Sequence, residues 1–241
     1  MKNIEDIKLY SVPLHRLKDK TPIGIGTGCL VDMPDCDYLF TVFHVANAAE
    51  GNWGILKEFI VGQGQQYVVV KNFTNQFTIN IETHEINDVE FAYKKLPEKF
   101  DYFYQNIDYT GMIETSKPIK KIKLQQIKKP NKKNIYGFAG HIQPTNIADK
   151  YFETRPVEYE NYKYIKTDEW IHIFKPPFNH PGHEFYRGCS GAPIIDEKNN
   201  VVSLLVGGNI EKNEIYGVNL IMALTGFNFE TGNFKKAMEK V

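Results

Sequence analysis

Short strand-like runs separated by turn residues constrain the fold of this chain more than any other feature. The runs are rich in Val, Ile, Phe and Tyr and are bounded by Gly, Asn, Asp or Pro, which is the pattern of β-strands. Aromatic residues make up 13% of the chain, which suits a β-rich core. The predicted strands cover residues 28–31, 38–43, 67–70, 77–81, 89–93, 119–124, 135–138, 162–167, 170–174, 192–195, 201–206 and 216–222.

No helical pattern alternates with these runs, so the sequence favours sandwiches or barrels over a parallel α/β sheet. The clearest helical period lies at the end of the chain, where residues 227–240 are predicted to form a helix. A shorter turn of helix is predicted just after His44. The polar, tyrosine-rich stretch of about 97–118 lacks alternation and is predicted to connect an N-terminal to a C-terminal β unit.

Length and charge limit the classes of function. A chain of 241 residues is long enough for one domain of two subdomains, or for two small domains, and for a sizeable core. Lys and Arg number 29, as do Asp and Glu, so no net field favours nucleic acid or an anionic membrane as a partner. The basic run 117–133 is interpreted as a solvated edge that discourages strand pairing.

The N-terminus and the cysteines bear on the compartment. The first twenty residues carry scattered charges and lack the apolar core of a signal peptide, and no apolar run approaches the length of a membrane span. The three cysteines include no C-x-x-C pair, so neither a disulfide framework nor a cysteine-only zinc site is implied. We therefore expect a cytoplasmic protein that needs no cofactor.

The stretch RGCSGAPIID at 187–196 places Ser190 on a glycine-flanked turn before an apolar strand. One interpretation is a simple turn, since Gly, Ser and Pro favour turns. The other is that Ser190 is a nucleophile, and a serine nucleophile needs a histidine base that is held by an acid. His44 ends an apolar run and Asp88 begins another, so the order of candidates is His44, Asp88, Ser190.

These segments resemble the trypsin/chymotrypsin-like serine protease family in its bacterial, short-loop form. The family patterns are G-[ST]-G-x-[LI]-[VI], T-A-x-H-[VC], D-[IV]-A-x-[LV] and G-x-S-G-x-P. Here they read GTGCLV at 26–31, TVFHV at 41–45, DVEFA at 88–92 and GCSGAP at 188–193. The resemblance spans residues 24–240 and implies two six-stranded antiparallel β-barrels, at about 20–100 and 119–224, with a C-terminal helix.

The resemblance also implies roles for individual residues. Ser190 would be the nucleophile, His44 the general base and then acid, and Asp88 the carboxylate that orients His44. The N–H groups of Gly188 and Ser190 would form the oxyanion hole. The substrate would pair as an extended strand with Val206, Gly207 and Gly208.

Three departures from the family pattern leave alternatives open. Cys189 stands where the family usually has Asp or Asn, and Phe43 replaces a small residue before the histidine. Cys189 could itself be proposed as the nucleophile, but the family places the reactive atom at the following position. Glu90 stands where the aspartate motif normally has alanine, so Asp101 and Asp108 are rival acids.

The primary pocket of trypsin-like proteases has its floor six residues before the nucleophile, which is Glu184 here. A carboxylate there would favour Arg or Lys before the scissile bond. The alternatives are an outward-pointing Glu184 that pairs with Arg187, and a preference for acidic residues read by His180 or His183. His172, His180, His183 and Glu184 could be read as zinc ligands, since His and Glu bind zinc. Because no matching ligand pair lies elsewhere at a suitable spacing, we interpret them as loop histidines beside a substrate pocket.

The sequence thus predicts a serine endopeptidase that acts on protein or peptide substrates through an acyl-enzyme. It requires no metal, nucleic acid or membrane, and we expect control by a regulatory protein partner or by narrow specificity. The rival functions are a catalytically silent module that binds a peptide or partner in the same cleft, and an esterase that uses the same residues.

Overall fold

The computed structural model describes residues 6–230 apart from 20, 49–50, 61–63, 80–85, 98, 100, 108–112 and 143–154. The chain is built from β-strands in two units, as predicted. The strands of the N-terminal unit are β1 (Val12–Lys18), β2 (Thr21–Asp32), β3 (Asp37–Thr41), β4 (Asn52–Ile60), β5 (Gly64–Val70), β6 (Thr74–Ile79) and β7 (Ile86–Lys95).

These seven strands form an open, half-barrel sheet in the order β5-β4-β1-β2-β3-β7-β6. β2 is the longest of them; its first part pairs with β1 and its last four residues pair with β3, so the sheet turns a corner along this strand. The two edge strands, β5 and β6, form no ladder with each other among the described residues. The expected six-stranded N-terminal barrel is therefore observed as an open sheet.

The connection between the units contains more structure than the sequence predicted. Residues 97–118 were expected to be a linker, but β8 (Phe103–Ile107) and β9 (Ile113–Pro118) pair as an antiparallel hairpin. The strand predicted at 119–124 is reduced to β10 (Ile122–Lys123), which pairs in parallel with the end of β2 and extends the N-terminal sheet.

The C-terminal unit is the closed six-stranded barrel that was predicted. Its strand order is β11-β12-β13-β16-β15-β14, and the pairing of β11 with β14 closes the barrel. The strands are β11 (Ile135–Ile142), β12 (Arg155–Asp168), β13 (Ile171–Lys175), β14 (Pro193–Asp196), β15 (Val201–Asn209) and β16 (Glu214–Asn219). Full closure removes exposed sheet edges, which would otherwise be open to other chains.

Two helices complete the described chain. α1 (Phe43–Ala46) is the predicted turn of helix at His44, and α2 (Leu220–Glu230) begins seven residues before the predicted C-terminal helix. The strand predicted at 216–222 therefore ends three residues early, at Asn219. Residues 231–240 of the predicted helix lie outside the described residues. No helix in the described part of the chain is both long and apolar enough to cross a membrane.

Helix α2 returns to the N-terminal sheet and covers its open side. The ring of Phe227 is fully buried and packs edge-on against Tyr38, Phe40 and Tyr93, with centroid distances of 5.0, 5.2 and 4.9 Å. Edge-to-face aromatic pairs add to the free energy gained from area burial alone. The last described element thus ties the C-terminal unit onto the core of the N-terminal one.

Two buried histidines lie at the junction of the units. His15 on β1 and His141 on β11 are both almost fully buried, and neither ring nitrogen of His141 has a hydrogen-bond partner among the described residues. Burial lowers the pKa of His15 to about 4, and burial with the neighbouring His15 lowers the pKa of His141 to about 3. Both side chains are therefore neutral in the folded protein at neutral pH.

The lowered pKa values predict a loss of stability in acid. The unfolded chain takes up protons on these histidines below about pH 6.5, whereas the folded chain does so only near pH 3–4. The free energy of unfolding should thus be fully present above pH 6.5 and fall as the pH drops through this window. Urea unfolding of His141→Phe should show a slope against pH that is about 1 kcal/mol per unit smaller between pH 5 and 6. An unchanged slope would show that His141 does not titrate in this way.

Candidate active site

A cleft with a volume of about 580 Å³ runs between the two β units, and most of the predicted site residues line it. His44 and Val45 face it from the N-terminal unit, and Ser190 faces it from the C-terminal unit. Members of both units therefore meet at one site, although 146 positions separate His44 from Ser190 along the chain. Its lining also includes Glu184, Gly188, Val206, Gly207 and Gly208.

Helix α1 holds His44 at the edge of this cleft. The Asn47 side-chain amide donates to the Phe43 carbonyl at 2.9 Å, and the amide groups of Asn47 and Asn75 exchange hydrogen bonds at 3.0 and 3.1 Å. These contacts fix the single turn of helix to strand β6. A helix this short has little stability of its own, so the side-chain contacts are what keep His44 in place.

A carboxylate does contact His44, and it is that of Glu90. The Nδ1 atom of His44 lies 3.1 Å from Oε2 of Glu90, with 42% and 33% of the two side chains exposed. An anion at Nδ1 holds the proton on that nitrogen and leaves Nε2 as the acceptor. Glu90 on β7 thus makes the kind of contact with His44 that the family resemblance implies for Asp88.

The predicted acids lie elsewhere or outside the described set. Asp88 is on β7 opposite Phe77, and its side chain is not among those described. Of the rivals, Asp101 is exposed and pairs with Lys121 at 3.2 Å, and Asp108 lies outside the described residues. One sequence signal could have indicated Glu90: read two residues later, the motif becomes Glu90-Phe91-Ala92 and regains its alanine.

The loop that carries Ser190 has a backbone available only to glycine at two positions. Gly188 and Gly191 have φ angles of 94° and 90°, and a Cβ on either would overlap a backbone oxygen, that of His141 or Thr27. The loop therefore lies close against β11 of the barrel at Gly188 and against β2 of the N-terminal sheet at Gly191. The residues of the GCSG sequence therefore determine how the loop packs as well as which atoms it presents.

Thr27 of the GTG sequence fastens this loop. Its backbone N–H donates to the Ser190 carbonyl at 3.0 Å, and its hydroxyl donates to the Gly188 carbonyl at 2.7 Å. The same hydroxyl accepts the His141 N–H at 3.1 Å. With two carbonyls of the loop held, the N–H groups of Gly188 and Ser190 donate to none of the described residues. They are available to bind an oxyanion.

The hydroxyl of Ser190 points to the neighbouring strand. Its Oγ donates to the Val206 carbonyl at 3.4 Å, and no hydrogen bond joins it to His44 among the described residues. Catalytic hydrogen bonds are often long or unformed before substrate binds.

Strand β15 offers an open edge beside Ser190. Its partner β14 pairs with it as far as Leu204, and residues Val206–Gly208 continue along the cleft, paired on their other side with β16. A Cβ at Gly207 would meet no atom within 4 Å. The backbone at this edge is therefore accessible to an extended peptide.

The structure places Glu184 at the rim of the cleft rather than at the floor of a pocket. Its side chain is 82% exposed and its carboxylate lies 3.3 Å from the guanidinium of Arg187, the alternative pairing left open by the sequence. His183 also lines the cleft, whereas His180 is buried against Gly208. A carboxylate that is this exposed is screened by water and selects weakly between substrates.

A specificity prediction follows from the position of Glu184. Glu184→Ala should leave the ratio of kcat/KM for matched peptides with Arg or Leu before the scissile bond unchanged within about twofold, because exposed pairs contribute little. Arg187→Ala, which removes the other partner, serves as the matched control. A fall of tenfold or more in the Arg-to-Leu ratio for Glu184→Ala alone would assign the pocket to this carboxylate.

The histidines that could be read as zinc ligands do not come together at one site. His172 bonds the Thr167 hydroxyl at 2.8 Å on β13, while the rings of His180 and His183 lie 5.7 Å apart in another loop. In the parts of the chain that the structure describes, no three His, Cys, Asp or Glu side chains are grouped as metal ligands.

Cys189 packs beneath the loop. The thiol is fully buried, and a Cβ on Gly140 would lie 2.5 Å from its sulfur. Burial raises its pKa to about 12, so the reactive thiolate is scarce at neutral pH. An uncharged thiol suits this buried position better than an unpaired carboxylate would.

Thiol alkylation tests this placement. Iodoacetamide at pH 8 should leave Cys189 unmodified in the folded protein, because the thiol is both buried and protonated. The same treatment in 8 M urea should modify all three cysteines and is the control. Mass spectrometry of tryptic peptides gives the result, and rapid modification of Cys189 in the folded chain would contradict the buried position.

Comparison with known proteins gives a consistent fold. The chain is similar to the scabies mite inactivated protease paralogue S-I1, with a TM-score of 0.58, 11% identity and coverage of 97% of this chain and 98% of that one. It is also similar to HL collagenase, with a TM-score of 0.53, 14% identity and coverage of 92% of this chain and 93% of that one. A third similar structure is a serine endoprotease from Yersinia pestis, with a TM-score of 0.51 and 11% identity. The match covers 92% of this chain and 62% of that one, so this chain spans under two thirds of that protein.

The chain has the fold of the trypsin/chymotrypsin-like serine proteases, which confirms the resemblance seen in its motifs. No protein-family model and no curated relative matches the sequence. At these identities the likeness concerns the fold alone. One of the similar structures is an inactivated paralogue, so the fold is compatible both with catalysis and with its loss.

Proposed function

We propose that the protein is a serine endopeptidase that uses Ser190 as nucleophile, His44 as general base and Glu90 as the orienting carboxylate. The observation that carries the proposal is the hydrogen bond of 3.1 Å between Glu90 and Nδ1 of His44 in the cleft that Ser190 lines. That contact gives His44 the tautomer required of a base. Glu90 replaces Asp88 in this assignment.

The remaining parts of the reaction have candidate residues. Ser190 Oγ would attack the scissile carbonyl while His44 takes its proton and then gives it to the leaving amine. The N–H groups of Gly188 and Ser190 would bind the oxyanion, each such donor contributing about 10²–10³ in rate. The peptide before the scissile bond would pair with Val206–Gly208. Water would then hydrolyse the acyl-enzyme by the same steps.

A silent peptide-binding module is the second candidate. It is favoured by one observation: the Ser190 hydroxyl bonds Val206 and not His44. An esterase would use the same residues as the peptidase. Labelling with a fluorophosphonate separates the catalytic candidates from the silent one, because only an activated serine reacts. Cleavage of an unbiased peptide library then separates a peptidase from an esterase.

Substitution of the three proposed residues gives the decisive prediction. Ser190→Ala and His44→Ala should each lower kcat/KM by on the order of 10⁶, because the two act as one unit. Glu90→Gln should cost about 10⁴, because the amide can hold the wrong tautomer of His44. The measurement is the initial rate on the best peptide from the library.

Asp88→Asn is the matched control for Glu90→Gln, since both replace an acid of β7 by its amide. It should keep kcat/KM close to that of the wild type. A large loss in Asp88→Asn with little loss in Glu90→Gln would return the role to Asp88. Ser190→Ala protein that retains more than a percent of the activity would exclude the serine mechanism altogether.

A further inference from the structure

Arg16 is a charged residue of the cleft that the proposed reaction does not use. It lies on β1, where it pairs with Gly24 of β2 on one side and Trp53 of β4 on the other, and its side chain lines the cleft. The other charged groups described there are matched: Glu184 with Arg187, and His44 with Glu90. Arg16 makes no ion pair with any residue that the structure describes.

The guanidinium of Arg16 is held over a glycine and is partly withdrawn from water. Its Nε and Nη2 atoms lie 3.1 and 3.3 Å from the position that a Cβ on Gly24 would take. The Nε atom is buried and has no hydrogen-bond partner. A buried donor without a partner costs free energy that a bound acceptor would return. The side chain is therefore poised to gain a ligand rather than to stabilise the fold.

The position of Arg16 identifies which part of a substrate it would meet. A peptide that pairs with Val206–Gly208 before the scissile bond must continue past Ser190 on the other side of the oxyanion loop. There, Ile25 closes on Gly188, since a Cβ on Gly188 would lie 2.8 Å from its side chain. Gly24 and Arg16 follow directly along the sheet. A substrate that continues in this direction would bring the residues of its leaving group beside Arg16.

The neighbours of Arg16 would strengthen a charge pair. Ile23, Ile25 and Trp53 line the same part of the cleft and offer mainly apolar surface. An ion pair in such surroundings is less screened than one at an open surface. The planar guanidinium also suits a carboxylate better than any other common side chain, because it can donate two parallel hydrogen bonds.

We propose that Arg16 binds a carboxylate side chain on the leaving-group side of the substrate, so that the protein prefers Asp or Glu shortly after the scissile bond. This specificity rests on the proposed peptidase function. It is separate from the pocket that reads the residue before the bond. It assigns to Arg16 a role in binding and not in the chemical step.

The test uses peptides that are identical except for Glu or Gln at one of the first three positions after the scissile bond. Wild-type protein should cleave one Glu peptide with a kcat/KM about tenfold above that of its Gln partner, as a charge-assisted pair allows. Arg16→Gln should bring this ratio to about one. Lys18→Gln removes a charge from an exposed position of the same strand and should keep the ratio. Equal ratios in the wild type and Arg16→Gln would overturn the proposal.

Two further measurements keep the outcome clear. If Arg16→Gln does not fold, Arg16→Lys retains the charge and should lower the ratio of Glu to Gln cleavage without abolishing it. Salt tests the ion pair in the wild type: a Glu preference that is independent of salt from 50 to 500 mM would overturn it.

If no peptide is cleaved, fluorescence anisotropy of the uncleaved Glu and Gln peptides gives the ratio of their Kd values directly. Tighter binding of the Glu peptide that depends on Arg16 would support the site while the catalytic function fails. Cleavage without any Glu preference would support the peptidase function and overturn the Arg16 site.

Discussion

The arrangement of the candidate site depends on the contacts of one buried threonine. Thr27 of β2 holds the carbonyls of Ser190 and Gly188 with its N–H and its hydroxyl, and its own carbonyl accepts the Thr41 hydroxyl at 2.8 Å. Thr41 ends the strand that leads to His44. The strand that leads to His44 and the loop of Gly188 and Ser190 are thus joined through a single residue. Because Thr27 is fully buried, water does not compete for these hydrogen bonds.

Glycines allow the Ser190 loop to approach Thr27 closely. Gly191 approaches the Thr27 carbonyl so nearly that any Cβ would overlap it, and Gly191 N–H in turn donates to Leu205 of β15 at 2.8 Å. The loop is therefore held between the N-terminal sheet and strand β15. A larger side chain at Gly191 would push the loop away from β2, and one at Gly188 would overlap the His141 carbonyl of β11. This explains why the motif sequences identify the fold even where overall identity is low.

The sequence predicted most strands of the closed barrel because their alternation and their turn residues agree. It did not predict β1, β4 or the hairpin β8–β9. In β1, the polar residues His15 and Arg16 interrupt the apolar pattern, and the burial of His15 becomes evident only from the packing. It extended β16 into α2, since the apolar run 216–222 does not distinguish a strand from a helix. The helix begins after Asn219, whose side-chain oxygen accepts the Met222 N–H at 3.4 Å. An asparagine before an apolar run is the capping signal that could have marked this boundary.

The site was predictable where one residue type at one position is required, and not where chemistry permits substitution. Ser190, His44 and Gly188 all lie at the cleft, because their motifs also determine backbone geometry. The carboxylate is different: in the arrangement proposed above, its role needs only an oxygen within hydrogen-bond distance of Nδ1, and Glu90, two residues after Asp88 on the same strand, offers one.

The exposure of this pair limits what Glu90 can contribute. With 33% of Glu90 and 42% of His44 exposed, water screens their Coulomb attraction, so the carboxylate acts chiefly by holding the proton on Nδ1. In the proposed function, a substrate strand lying along Val206–Gly208 and over His44 would exclude that water. The same event would turn Ser190 away from the Val206 carbonyl, because the peptide backbone competes for this edge. Substrate binding would therefore both strengthen the His44–Glu90 pair and free the nucleophile.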